Sequence, residues 1–186
     1  MKRAEPSASG IRGEYETHGV AGFYKQHGDD YSNPHEGVLA ELLRSSLNEW
    51  SIQPCRSLDL ACGSGEVTVV LEQLGFTEIV GADPYTYEAY RRRTGRNPLK
   101  LSFEEIQAGG LEQDRFELIV CSFALHLADE SRLPPLLYQL AQMAPTLIVL
   151  TPHKRPEILE AWHWRMVDEQ MHERVRARLY KRLNKR

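Results

Sequence analysis

The chain has 186 residues, of which 41% are hydrophobic, and a formal charge of −3. That length predicts one domain, with no room for a separate substrate domain, and lets about 70% of the unfolded surface be buried without disulfide or metal staples. The composition is ordinary for a globular protein and excludes disorder over most of the chain.

Three cysteines, Cys55, Cys62 and Cys121, form no Cys-x-x-Cys pair. They suit a reducing compartment and suggest neither a disulfide framework nor a metal site. Met1 to Gly10 is polar, without the apolar core of a secretory signal, and no apolar run reaches membrane-span length. The expectation is a cytoplasmic protein with no membrane partner. Charge is uneven along the chain. Arg91 to Lys100 carries five basic residues and no acid, and His172 to Arg186 carries seven against Glu173 alone.

Residues 1–12 read as a flexible tail and 13–186 as a single domain, with 13–35 a distinct N-terminal segment. After Tyr31, apolar residues at Val38, Leu39, Leu42, Leu43, Leu47 and Trp50 recur at helical spacing. Pro34 suits the first helical position, and Ser32 or Asn33 the cap. Ser57 to Cys62 is a short strand that stops at Gly63-Ser-Gly65, and Val67, Val70, Leu71 and Leu74 continue as a helix ended by Gly75. Glu78 to Ala82 is a second strand, with helix to about Arg93. Leu99 to Leu101, Phe116 to Ser122 and Thr146 to Leu150 are three more, with a helix over Leu133 to Met143.

Ile158 to Met166 predicts a further helix. The strict alternation of Val175, Ala177 and Leu179 then predicts a terminal β-hairpin. Alternating β and α units with strands apolar on both faces predict a doubly wound, three-layer α/β fold. Five parallel strands and the antiparallel hairpin make a seven-stranded sheet.

The strongest chemical signal is Leu58-Asp-Leu-Ala-Cys-Gly63-Ser-Gly65. Glycines where a strand meets a helix let the backbone approach a ligand at the sheet's carboxyl edge. Asp83, at the end of the next strand, is placed to accept both hydroxyls of a ribose. Thr68 stands where a dinucleotide fingerprint wants a third glycine, and Asp59 is an acid inside the first strand. That carboxylate either helps hold an ammonium group or orders the loop.

These residues resemble the class I S-adenosylmethionine-dependent methyltransferases, whose first motif is an acid followed by Gly-x-Gly on this strand. The resemblance implies S-adenosylmethionine as cofactor. It implies that Asp59 and the backbone of Ala61, Cys62, Gly63, Ser64 and Gly65 hold the methionine part, and that Asp83 binds the ribose. Pro84 and Tyr85 would line the adenine, and Ser102 and Phe103 stand where the family contacts its edge. Many relatives have aspartate at the Ser102 position, and Glu104 is the alternative acid. Ser122 and Phe123 would flank the methionine and the methyl group.

The segment from Phe23 to His35, with Tyr24 and Tyr31, reads either as a lid over the cofactor or as a capped helix entry with surface aromatics. His126 and His153, in the loops after the fourth and fifth strands, stand where either could take a proton from an acceptor, and such loops also hold ordinary histidines. No Asn-Pro-Pro-Tyr or Pro-Cys motif is present, which disfavours base-amino, glutamine-amide and cytosine-carbon methylation. The run Ala-Leu-His126-Leu is similar to small-molecule methyltransferases of the quinone-biosynthesis type and to some tRNA modifiers.

The expected reaction is methyl transfer to an oxygen or nitrogen of a small-molecule acceptor. The alternatives are an RNA or protein methyltransferase and a non-catalytic cofactor-binding scaffold. Both basic clusters are expected at the edge opposite the cofactor, with Arg174, Arg176 and Arg178 on an edge strand as the exception.

Overall fold

The computed structural model describes Asn33 and residues 35–183. The expected tail and most of the 13–35 segment, Tyr24 and Tyr31 included, lie outside the described residues. Helix α1 (Glu36–Glu49) buries Leu39, Leu42, Leu43, Ser46 and Leu47. It begins two residues later than expected because Asn33 turns the chain first. Its side-chain oxygen accepts from the His35 N–H at 2.9 Å, and its carbonyl accepts from the Glu36 N–H at 3.2 Å.

Strand β1 (Ser57–Leu60) is buried throughout and leads through the glycine loop into α2 (Glu66–Gln73). Gly75, in the left-handed region at φ 89°, ends that helix as expected. Strand β2 (Ile79–Ala82), helix α3 (Tyr87–Thr94), helix α4 (Phe103–Gln107), strand β3 (Leu118–Ser122), helix α5 (Leu133–Met143) and strand β4 (Thr146–Thr151) follow. The chain finishes with β5 (Trp164–His172) and β6 (Val175–Arg182).

The sheet has six strands in the order β2-β1-β3-β4-β6-β5. The first four are parallel and the last two antiparallel. The expected strand at Leu99 to Leu101 is reduced to one bridge, Leu99 with Ala82. Its extension is pre-empted by Ser102, which caps α4 in a reciprocal box with Glu105 and turns the chain off the sheet. Alternate β3 residues face opposite layers: Leu118 and Val120 pack with the side chains of α1 and α2, Ile119 and Cys121 with those of α5. Among the described residues, no helix is long and apolar enough to cross a membrane.

The helix expected over Ile158 to Met166 is one 3-10 turn, Glu160–Trp162. Trp164 captures the chain instead, fully buried and donating its indole N–H to the Leu137 carbonyl of α5 at 2.9 Å. The arginine strand is also not the edge. β6 lies inside the sheet between β4 and β5, with Arg176 and Arg178 paired to Glu169 of β5. Its Val175, Ala177 and Leu179 are buried, while β5, charged and interrupted near Val167, takes the exposed edge.

Tyr90 of α3 lies fully buried on Gly81 of β2, where a Cβ would meet its Cζ at 2.6 Å. Gly81→Ala is expected to lower unfolding free energy by about 1–3 kcal/mol through this overpacking, read from urea midpoints.

Candidate functional site

The carboxyl ends of β1, β2 and β3 open into one cleft of about 220 Å³. Of the sequence-predicted residues, Ala61, Gly63, Asp83, Pro84, Tyr85, Ser102, Phe103, Ser122 and Phe123 line it. Sequence separation between these groups is large, and parallel strand order brings them together. Asp59, Cys62, Ser64 and Gly65 lie behind this lining and shape the loop. Cys62 is buried, and burial pushes its thiol well above the usual range, which leaves it no nucleophilic character.

The loop is tightly wound. Ala61 and Phe123, the residues following β1 and β3, both adopt left-handed backbone, at φ 55° and 53°. Strain of this kind costs about 1–3 kcal/mol per residue and tends to gather where a ligand is held. Gly65 combines φ 93° with a site whose Cβ would lie 2.6 Å from Thr94 Cγ2, so only glycine fits there.

Asp59 is completely buried. One oxygen accepts from the Thr68 backbone N–H at 3.1 Å and from its hydroxyl at 2.7 Å. The Tyr90 hydroxyl, 2.9 Å from Thr68 Oγ1, completes the network. The other oxygen, Oδ1, has no partner among the described residues. Burial pushes the Asp59 pKa up to about 8, the Thr68 bonds oppose it, and the charges of Glu66 and Asp83 add to it.

Asp83 turns one oxygen to the N–H groups of Tyr85 and Thr86, at 2.8 and 3.1 Å, and the other to that of Gly63 at 3.3 Å. Burial raises its pKa against those bonds. Ser102 is committed elsewhere. Its hydroxyl accepts from the Glu105 N–H at 3.2 Å and its own N–H donates to the Glu105 carboxylate at 2.8 Å. The neighbouring Glu104 lines the cleft.

One residue escaped sequence reasoning, and another from the Phe23–His35 segment gains a partner. Glu66, the first residue of α2, is buried and accepts from Ser64 Oγ at 2.5 Å and from the Asn33 N–H at 3.1 Å. An acid opening a helix reads as an ordinary surface dipole partner, so only the glycine-loop context singles it out. His35 stacks on Phe123 with ring centroids 5.5 Å apart.

His126 and His153 meet, with centroids at 4.4 Å, although 27 positions separate them. His126 sits between the cleft-lining Ala124 and Leu127, and its Nδ1 is buried without a partner among the described residues. Burial, then His153, lowers its pKa to about 4.

The basic segment Arg91 to Lys100 lies only partly opposite the cleft: Arg96 reaches the amino end of β2, at the Thr77 and Ile79 carbonyls, but the rest does not. Arg93 pairs with Glu36 and reaches within 4.0 Å of Glu66, and Leu99 lies beside the last residue of β2. Helix α3 runs alongside the glycine loop and returns the chain to the carboxyl edge.

A family model described as a methyltransferase domain matches residues 34–186. An uncharacterized protein of Schizosaccharomyces pombe is 34% identical, covering 78% of this chain and 76% of that one. Among solved structures, magnesium protoporphyrin IX methyltransferase from Synechocystis, with bound S-adenosylmethionine, shares the fold at a TM-score of 0.60. It is 16% identical, over 98% of this chain and 100% of that chain. TehB from Haemophilus influenzae gives 0.55 at 15% identity, over 77% and 62%. The chain belongs to the methyltransferase domain family, and its class is the S-adenosylmethionine-dependent enzymes that the glycine loop resembled.

Asp59 supplies a check on the buried network. Its folded pKa of about 8 lies above the ordinary value of 3.8, so the folded protein retains a proton that the unfolded chain releases. Its contribution to stability is therefore full below about pH 4 and is lost as pH rises through about 8. Urea midpoints of the wild type are expected to fall between pH 5 and pH 8, by at most about 1.4 kcal/mol per pH unit from this group. Asp59→Asn is expected to flatten that fall, and equal slopes would remove Asp59 as its source.

Proposed function

We propose that the protein, as one methyltransferase domain over residues 13–186, transfers a methyl group from S-adenosylmethionine to an oxygen or nitrogen of a small molecule. The observation that carries this reading is the gathering of three buried carboxylates around one loop. Asp59, Glu66 and Asp83 are 0%, 5% and 8% exposed, with Arg93 4.0 Å from Glu66 as counter-charge. Acids buried together in this way hold on to protons, as Asp59 does below about pH 8, unless a cation joins them. S-adenosylmethionine carries two positive groups, a sulfonium and an ammonium, and the unpartnered Asp59 Oδ1 fits a cationic donor.

In this reading Asp59 and the Ala61 to Gly65 backbone hold the methionine part, and Asp83 accepts from the ribose. Pro84, Tyr85 and Phe103 flank the adenine, with Glu104 taking the polar contact that Ser102 gives up to its cap. Ser122 and Phe123 border the methyl group, and Tyr24 and Tyr31 belong to a covering segment. Bound there, the cofactor supplies an electrophilic methyl carbon, and in-line transfer needs mainly alignment and exclusion of water. His126, held neutral by burial and by His153, is available to take the proton an oxygen or nitrogen acceptor releases.

A small acceptor is favoured over nucleic acid because several arginines of the basic clusters are held by carboxylates within the protein. Arg93, Arg96, Arg176 and Arg178 all face carboxylates. Phosphate binding draws on unpaired basic groups.

Calorimetric titration is expected to show S-adenosylhomocysteine binding, weakened at least about tenfold by Asp83→Ala, the loss of one charged hydrogen-bonding group. No binding by the wild type overturns the reading. His126→Asn is expected to slow methyl transfer by about 10²–10⁴-fold and leave that affinity unchanged. With labelled cofactor and a fractionated extract, label should enter small molecules. Label in RNA or protein points to a macromolecular acceptor, and binding without any transfer points to a scaffold.

A further inference from the structure

We propose that Glu66 is a positioning residue: it fixes the Asn33–His35 entry of α1 on the glycine loop, so that His35 covers Phe123 at the mouth of the cleft. The chain of contacts is continuous. The Glu66 carboxylate accepts from Ser64 Oγ in the glycine loop and from the Asn33 N–H 33 residues away. Asn33 is itself buried, so its N–H has no water to turn to if that acceptor is removed.

From Asn33 the hold passes directly to α1. Its side-chain oxygen takes the His35 N–H and its carbonyl takes the Glu36 N–H. Fixing the Asn33 backbone nitrogen therefore also holds His35 and Glu36. Arg93 closes the other side, pairing with Glu36 through both guanidinium nitrogens and lying 4.0 Å from Glu66. The ring of His35 is thereby set parallel to Phe123, 13° between planes, and Phe123 is a cleft wall held in left-handed backbone.

The two hydrogen bonds that Glu66 accepts use a charged acceptor in a buried setting, where such bonds are about twice as strong as neutral ones, and Asn33 passes the hold on through its amide and peptide oxygens. Ser64 and Asn33 share one oxygen of Glu66. The shape of the glycine loop and the seating of the α1 entry are thus decided together. The support of the Phe123 wall thus runs back through His35 and Asn33 to Glu66.

The proposal rests on the cofactor reading only for its second readout. The first is amide hydrogen exchange of the unliganded protein. In Glu66→Ala the Asn33 and His35 amides are expected to exchange at least about tenfold faster, with the sheet amides of Leu58 and Val120 unchanged. Glu66→Gln keeps an acceptor oxygen and loses the charge, so an intermediate effect is expected. The second readout is S-adenosylhomocysteine dissociation, expected about tenfold faster in the alanine variant and a few-fold faster in the glutamine variant.

Unchanged Asn33 exchange in both variants overturns the proposal. So does faster exchange that spreads equally to Leu58 and Val120, because Glu66 then serves overall stability. If the alanine variant does not fold, the glutamine variant decides by the same two measures. A wild type that binds no S-adenosylhomocysteine overturns the cofactor reading and leaves the exchange result to judge Glu66 separately.

Discussion

The Asp59 carboxylate, sealed from water and bound twice by Thr68, is the constraint on which the site depends. It sits on β1, its partner Thr68 on α2, and Tyr90, which extends the network, on α3. Three elements are tied at one buried polar point. One glycine follows from it: with the Tyr90 ring in this position Gly81 has no space for a Cβ, while at Gly65 the Thr94 side chain of the same helix closes the space. The loop that meets the ligand is thus fixed from behind, by groups that do not line the cleft.

Fixing a loop in this way concentrates unfavourable terms on the cleft side. Two non-glycine residues are held at positive φ, three acids are buried, and one carboxylate oxygen is unpartnered among the described residues. A folded protein tolerates such terms when packing elsewhere offsets them, and the two layers on either face of the sheet supply that packing. The same terms make the cleft selective. A cationic ligand suits this cluster of buried acids, and an anionic one does not.

Much of this was legible in the sequence, for a local reason. Strand–glycine–helix punctuation is written in adjacent residues, and an acid within the first strand and another just after the second can be counted off. Nine of the residues expected at the cofactor do line the cleft. The misreadings came where two local signals competed. Leu99 to Leu101 is apolar enough for a strand, yet the Ser102 cap wins after one pair. Ile158 to Met166 fits a helix, yet burying the indole of Trp164 against α5 starts a strand.

The sequence by itself determined most of the order of elements, the glycine loop, Asp83 and the methyltransferase resemblance, because each is carried by neighbouring residues or by hydrophobic period. Only the tertiary structure decided which charges face which. Arg176 and Arg178, which look like part of a free basic stripe, share the Glu169 carboxylate across strands, and Glu66 becomes a junction between residues 33 and 93. His126 and His153 likewise meet only because β3 and β4 are neighbours. Charge pairing and burial depend on distance in space, and distance in space is set by strand order.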